Sequence, residues 1–215
     1  MSFFVESSGS REFKLVPPGN HLARLYRIVD LGTQERRYEA DVKFQRQVML
    51  GWEIHSEDEA GEPTVTEDGV PMAIFKNYTL SWNEAATLRK DLQAWRGKPW
   101  TDAEAKRFDL KNILGQWCLL NVVHKVGRQG DKTFANVAGI GPVPSFLKQK
   151  GLPAGHNELQ LFRLGEPDWE LYETFSKGLK AKIESSPEFQ SLKRSGDAPE
   201  ATKSKFDDID QDIPF

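Results

Sequence analysis

Cations and flat rings recur two residues apart along several stretches of this 215-residue chain. Two residues is the spacing at which a β-strand presents side chains on one face. Arg24 and Tyr26 share a parity of the segment 21–32, opposite Ala23, Leu25 and Val29, and Lys43 lies on the polar parity of 37–54. Phe75 and Asn77 share a parity of 72–81, while Lys125, Arg128 and Lys132 surround a glycine-bounded turn with Phe134 close behind. Trp52 lies on the apolar parity of its segment but stands at a strand end beside an acidic loop, so it joins these candidates. Cations can follow phosphates, and flat rings give unstacked bases a surface, each stack worth ~1–3 kcal/mol whatever the base. The chemistry on offer is the holding of a single-stranded nucleic acid. Taken alone each residue is a weak sign, because an aromatic on a strand is more often core than platform. Phe44 and Tyr78, on apolar parities, are assigned to the core for that reason. The coincidence of both residue types on shared parities carries the expectation, and one β-bulge would swap the faces.

Other chemistries lack their residues. His21, His55, His124 and His156 form no H-x-H or H-x-x-x-H pair, so no metal-ligand spacing is visible. Gly139-Ile140-Gly141-Pro142 has neither the dinucleotide spacing nor a phosphate-binding lysine, and no G-x-S-x-G occurs. The single cysteine, Cys118, sits in an apolar strand, which suits a buried thiol better than a nucleophile. The expectation is a protein that is not an enzyme and uses no cofactor and no metal. One cysteine excludes an internal disulfide framework, and no apolar run approaches the ~20 residues of a membrane-spanning helix. The start, MSFFVESSGS, does not read as a signal peptide. No membrane and a cytoplasmic setting (the host's cytoplasm, if the chain is phage-encoded) are expected.

The net charge of −3, taken as a total, argues against a nucleic-acid partner, but it is an average over unlike segments. Residues 56–71 hold six acids and no base, and residues 195–215 hold six acids and two bases; the remainder carries +7. A basic body therefore bears an acidic loop and an acidic tail. Residues 195–205 read as a flexible linker. In the last nine residues Asp207, Asp208, Asp210 and Asp212 are interleaved with Ile209, Gln211 and Ile213, and Pro214 and Phe215 close the chain. Such a disordered acidic tail can insert Phe215 into a partner's pocket while basic groups take the aspartates and the carboxylate.

The elements that must position these residues follow from periodicity. Strands are expected over 21–32, 37–54 (long and bent), 72–81, 116–126 and 132–140, the last two joined by a turn at 127–131. Ser81-x-x-Glu84 reads as a capping box opening a helix whose stripe is Ala85, Leu88, Leu92 and Trp95, ending at Gly97. Thr101-x-x-Glu104 signals a second, short helix. Residues 141–168 are Pro/Gly-rich and read as irregular. Asp168 caps a last helix with the stripe Tyr172, Phe175, Leu179 and Ile183, followed by a short extension at 187–194. A helix between the third and fourth of five strands is the order of an OB-fold, a Greek-key barrel. The expected fold class is therefore mainly β with helices: a five-stranded OB barrel over 1–142, an irregular segment and C-terminal helix over 143–194, and a flexible acidic tail over 195–215.

Asp207–Phe215 resembles the acidic C-terminal tip of bacterial single-stranded DNA-binding proteins, with Asp212-Ile213-Pro214-Phe215 matching fully. The segments FKNYTLSWNEAATLRKDLQAWRGKPW and FDLKNILGQWCLLNVVHK look like those of a bacteriophage family of OB-type single-stranded DNA-binding proteins, over about Pro17 to Ile140. The resemblance implies protection of single strands in phage replication, recombination and repair, with the tail recruiting replication or recombination proteins. It also leaves room for a homo-oligomer. Two other functions suit the same residues: a recombination mediator or strand-annealing protein, and an interaction protein whose acidic segments mimic DNA.

Overall fold

A computed structural model describes residues 14–38, 41–57, 61–127 and 132–198. It is mainly β. β1 (Gly19–Tyr38), β2 (Asp41–Ile54), β3 (Ala73–Thr79), β4 (Trp117–Val126) and β5 (Thr133–Gly141) form an antiparallel sheet in the order β3-β2-β1-β4-β5. A sixth strand, β6 (Gln160–Phe162), pairs parallel with Arg27–Val29 of β1. All five expected strands are present. The first is longer than its sequence suggests, because Gly32 (φ 67°) makes a bulge between Asp30 and Gly32 rather than a stop. β1 therefore runs on and pairs with β2 as far as Tyr38↔Asp41.

β1 is the spine, and it changes partner along its length. Gly19–Arg24 pairs with β4, Leu25 exchanges backbone hydrogen bonds with Gly115 and Gln116, and Arg27–Val29 pairs with β6. A second bulge, at Tyr26, switches which parity faces inward: Ala23 and Leu25 before it and Ile28 after it point into the same core. That core is closed by Val48, Leu50, Trp52 and Ile54 of β2 and by α1 (Thr87–Arg96), which inserts Leu88, Leu92 and Trp95. Asp91 of α1 binds Lys76 Nζ (2.7 Å) and accepts from the Tyr78 hydroxyl (2.8 Å), tying the helix to β3. α1 also packs on β5, and the edge strands β3 and β5 approach one another beneath it.

α1 begins at Thr87, later than its sequence suggests. Ser81 Oγ accepts from the Asn83 amide, and Asn83 Oδ1 accepts from the Ala85 amide, so the two side chains build successive local turns where a capping box was expected. Ala85 stays exposed, whereas Gly97 ends the helix in the left-handed region as expected. The second box does form: Thr101 and Glu104 cap α2 (Asp102–Arg107) reciprocally. A short 3₁₀ turn, Leu110–Ile113, leads into β4.

A second core lies on the opposite face of the sheet. Residues 141–168, expected to be irregular, contain α3 (Ser145–Lys150) as well as β6. The expected last helix is broken at Thr174–Ser176, where Ser176 caps a new start, giving α4 (Trp169–Glu173) and α5 (Lys177–Glu184). Asp168 does cap α4, accepting from the Leu171 amide at 3.0 Å. α6 (Pro187–Ser195) follows. Tyr172, Phe175, Ile183 and Phe189 from these helices, with Phe162 and Leu164, cover Val29, Leu31 and Met49 of the sheet. Close packing sets Gly32 here as well: a Cβ would lie 2.5 Å from Ser186 at the start of α6.

Candidate nucleic-acid interface

The sheet presents three exposed phenylalanines, each beside a cation. Phe75 points outward from β3, 42% exposed, and rests on Gly51 of β2, where a Cβ would stand 2.6 Å from its ring. The Arg27 guanidinium lies 5.7 Å from the Phe75 centroid and 5.3 Å from that of Tyr26, and Arg27 Nε donates to Gln160 Oε1. Asn77 is exposed on the same face. Phe134 is 51% exposed on β5 and sits directly across from the exposed Lys125 of β4; the Gly127 amide donates to the Lys132 carbonyl at 2.7 Å, closing the hairpin. Phe44 is 67% exposed on the arm formed by the outer ends of β1 and β2, next to the exposed Lys43, which faces Arg36.

The sequence-predicted residues thus separate. Lys43, Phe75, Asn77, Lys125, Lys132 and Phe134 are at the surface. Arg128 lies outside the described residues, as do Asp207, Asp208, Asp210, Asp212, Ile213, Pro214 and Phe215. Trp52 is fully buried in the core beneath α1 and has no surface to offer a ligand. Its position beside the acidic loop does not expose it, because it faces inward with Leu50 and Ile54. Tyr26 is only 5% exposed: as the bulge residue it turns into the sheet and meets Phe75 edge-on at 6.4 Å.

Arg24 is committed elsewhere. Its Nε lies 2.7 Å from Glu53, which is wholly buried and directly opposite on β2. Glu53 also accepts from the backbone amides of His156 (3.0 Å) and Asn157 (2.7 Å) and from the Asn157 side chain, and His55 Nε2 stands 3.1 Å away. Arg24 in turn donates to the Asn157 carbonyl. Burial alone would push the Glu53 carboxyl up, but the hydrogen bonds from Asn157, His55 and His156 hold it below the ordinary carboxylate range. This charged clasp pins the 155–157 loop to the sheet and leaves Arg24 no role at the surface.

Two residues that the sequence reading placed elsewhere or passed over join the candidate set: Phe44, which is exposed, and Arg27, which is half-buried. Phe44 was expected in the core with Tyr78; Tyr78 is buried, but Phe44 lies beyond the point where anything covers the arm. Arg27 reaches the outer face because the Tyr26 bulge shifts the register by one, and only the bulge could have signalled it. The cysteine Cys118 is fully buried, and burial pushes its thiol well above the usual range. Among the described residues no cluster of three or more His, Cys, Asp or Glu could hold a metal, and no helix is long and apolar enough to cross a membrane. No family model matches the chain, and no curated protein matches it.

Proposed function

We propose that the chain is a non-catalytic, sequence-tolerant single-stranded DNA-binding protein built on an OB-type barrel. The strand order β3-β2-β1-β4-β5, with edge strands approaching under a helix that lies between β3 and β4 in sequence, supports that barrel. OB barrels bind oligonucleotides on the β2–β3 face and on the loops that follow β1 and β4. The observation that carries the function is the placing of one exposed ring and an adjacent cation on each of those three parts: Phe75 with Arg27, Phe44 with Lys43, and Phe134 with Lys125. Rings supply stacking for any base and cations neutralise phosphates, which is what sequence-tolerant binding needs. The resemblance of Asp207–Phe215 to the tip of bacterial single-stranded DNA-binding proteins supports a role for that segment in recruiting partner proteins. The phage-family resemblance supports a place in replication, recombination and repair.

The test is titration of labelled oligo(dT) followed by anisotropy. An external label is needed because the tryptophans lie in the two cores or line a cleft under α1, away from the proposed face. Binding should weaken with salt at a log–log slope of about −0.7 per phosphate neutralised. A salt-independent affinity, or none, overturns the proposal. Acceleration of annealing between complementary oligonucleotides would move it to a strand-annealing protein.

A further inference from the structure

The described part of the acidic loop 56–71 is folded, although it carries six acids and no base. The Thr64 amide donates to the Ser56 carbonyl at 2.9 Å, and the Met72 amide donates to the Thr64 carbonyl at 3.1 Å. Bridges at Glu57↔Pro63 and Val65↔Pro71 close the loop on itself. Its tip is a turn in which the Thr66 amide donates to the Val70 carbonyl at 2.8 Å, and Glu67 and Asp68 stand exposed there. A run of acids kept only for solubility gains nothing from such a frame. Between the loop, the first parts of β1 and β4, and α3 runs a groove of about 520 Å³, lined by Leu22, Val65, Pro71, Leu119, Leu147 and Pro153. Thr64 forms part of its wall, 3% exposed, with its hydroxyl lacking any hydrogen-bond partner among the described residues. On the far side of the groove α3 holds out Phe146, 60% exposed, with Lys148 and Lys150. Phe146 and Lys150, four residues apart, share one side of that helix. No ion pair engages Lys148, Lys150, Glu57, Glu67 or Asp68 among the described residues.

We propose that this face pairs two copies of the chain about a two-fold axis through the groove. One patch carries an apolar groove, an acidic rim on one side, and a basic rim with a protruding ring on the other. A half-turn about the middle of such a patch lays each rim on its opposite, which is the self-complementarity that a two-fold interface requires. Phe146 of each copy enters the groove of the other, and Lys148 and Lys150 of each meet the other's Glu57, Glu67 and Asp68. Backbone carbonyls arriving with the second copy are acceptors for the Thr64 hydroxyl. The arrangement needs no third molecule, because every group in the contact has its counterpart in the same patch. It also leaves the candidate nucleic-acid face free. Ile54, at the groove, ends β2 ten residues beyond Phe44, which is ~33 Å at the rise of a strand.

The experiment is sedimentation equilibrium of the full chain without nucleic acid, so its result stands apart from the sheet-face function. The wild type should reach twice the 24.4 kDa of one chain. The double variant Glu67→Lys, Asp68→Lys should read as single chains at concentrations where the wild type reads as pairs, and so should Lys148→Glu, Lys150→Glu. Each sets like charges against each other at both ends of the patch. Mixing the two variants in equal amounts should restore a pair holding one of each, because both ends are then matched with their signs exchanged. That restoration also shows that both variants fold. Phe146→Ser, which alters no charge, should likewise read as single chains. A wild type that stays single at every concentration overturns the proposal, as does a mixture of the two charge variants that fails to pair. Either charge variant remaining paired alone overturns it too, and so does a paired Phe146→Ser. Masses that grow past two chains would mean an open, head-to-tail contact and overturn the two-fold arrangement.

Discussion

From Asp41 to Arg46, β2 is open to solvent on nearly every residue, whereas from Gln47 to Ile54 it is buried on both faces. Apolar and polar residues alternate through much of both halves. What differs is what lies above and below. The inner half has the core beneath α1 on one face and the C-terminal helices or the 155–157 loop on the other; the outer half runs past both. Alternation therefore tells which residues share a face, but the cover comes from elsewhere in the chain: α1 over the core face and, over the other, segments more than a hundred residues away. Phe44 and Trp52 share a parity and a chemistry, and they end at 67% and 0% exposure.

That contrast can be broken most forcefully at Trp52. Trp52→Ala should cost about 3–5 kcal/mol of stability in a denaturant melt, as a packed core cannot collapse to refill the emptied volume. Glu53→Gln, next on the same half, should cost about 2–3 kcal/mol because it weakens the charge-assisted hydrogen bonds to the loop. Its pH dependence has a definite sign. A carboxyl held below its unfolded value of 4.5 contributes stability that is complete above that pH and lost as pH falls through the folded value. The wild type should therefore lose stability below about pH 4.5 more steeply than Glu53→Gln, and equal slopes would show that the clasp is not charged.

On the outer half the readouts exchange places. Phe44→Ala should change stability by less than about 0.5 kcal/mol while weakening oligo(dT) binding by about 1–3 kcal/mol. Phe75→Ala on β3 should behave likewise. Gly51→Ala should have the smallest effect on affinity, since its new Cβ, 2.6 Å from the Phe75 ring and 3.3 Å from Arg27 Cβ, displaces both side chains without removing either. Equal losses of affinity at Phe44 and Trp52, after correction for the unfolded fraction, would erase the distinction between the two halves.

Much of the fold could be read from the chain itself. The five strands and the Leu88–Leu92–Trp95 stripe follow from periodicity, and Gly97 and the Thr101–Glu104 box mark helix ends through local hydrogen bonding. Local rules failed where several local solutions competed. Ser81 took a turn to Asn83 instead of a cap, and Ser176 restarted a helix whose apolar stripe runs on through the break. The site was harder still. The Tyr26 bulge moves Arg27 outward and Tyr26 inward, and the Arg24–Glu53–Asn157 clasp joins positions 133 residues apart. No spacing along the chain announces such a contact.

The succession of partners along β1 has a further consequence. A strand that bends from one neighbour to the next leaves open stretches of backbone, and open strand edges are where identical molecules zip together. Here the stretches are covered in turn. β4 covers Gly19–Arg24, Gly115 and Gln116 cover Leu25, and β6 covers Arg27–Val29. The Glu188 carboxylate then accepts from the Thr33 amide at 2.8 Å, where a neighbouring strand's carbonyl would otherwise fit. Each cover is short, and the last is a single charged side chain that no second copy of the sheet can imitate. The C-terminal third of the chain thus acts as a guard against runaway strand pairing, and it does so while leaving the β2–β3 side of the sheet uncovered at Phe75.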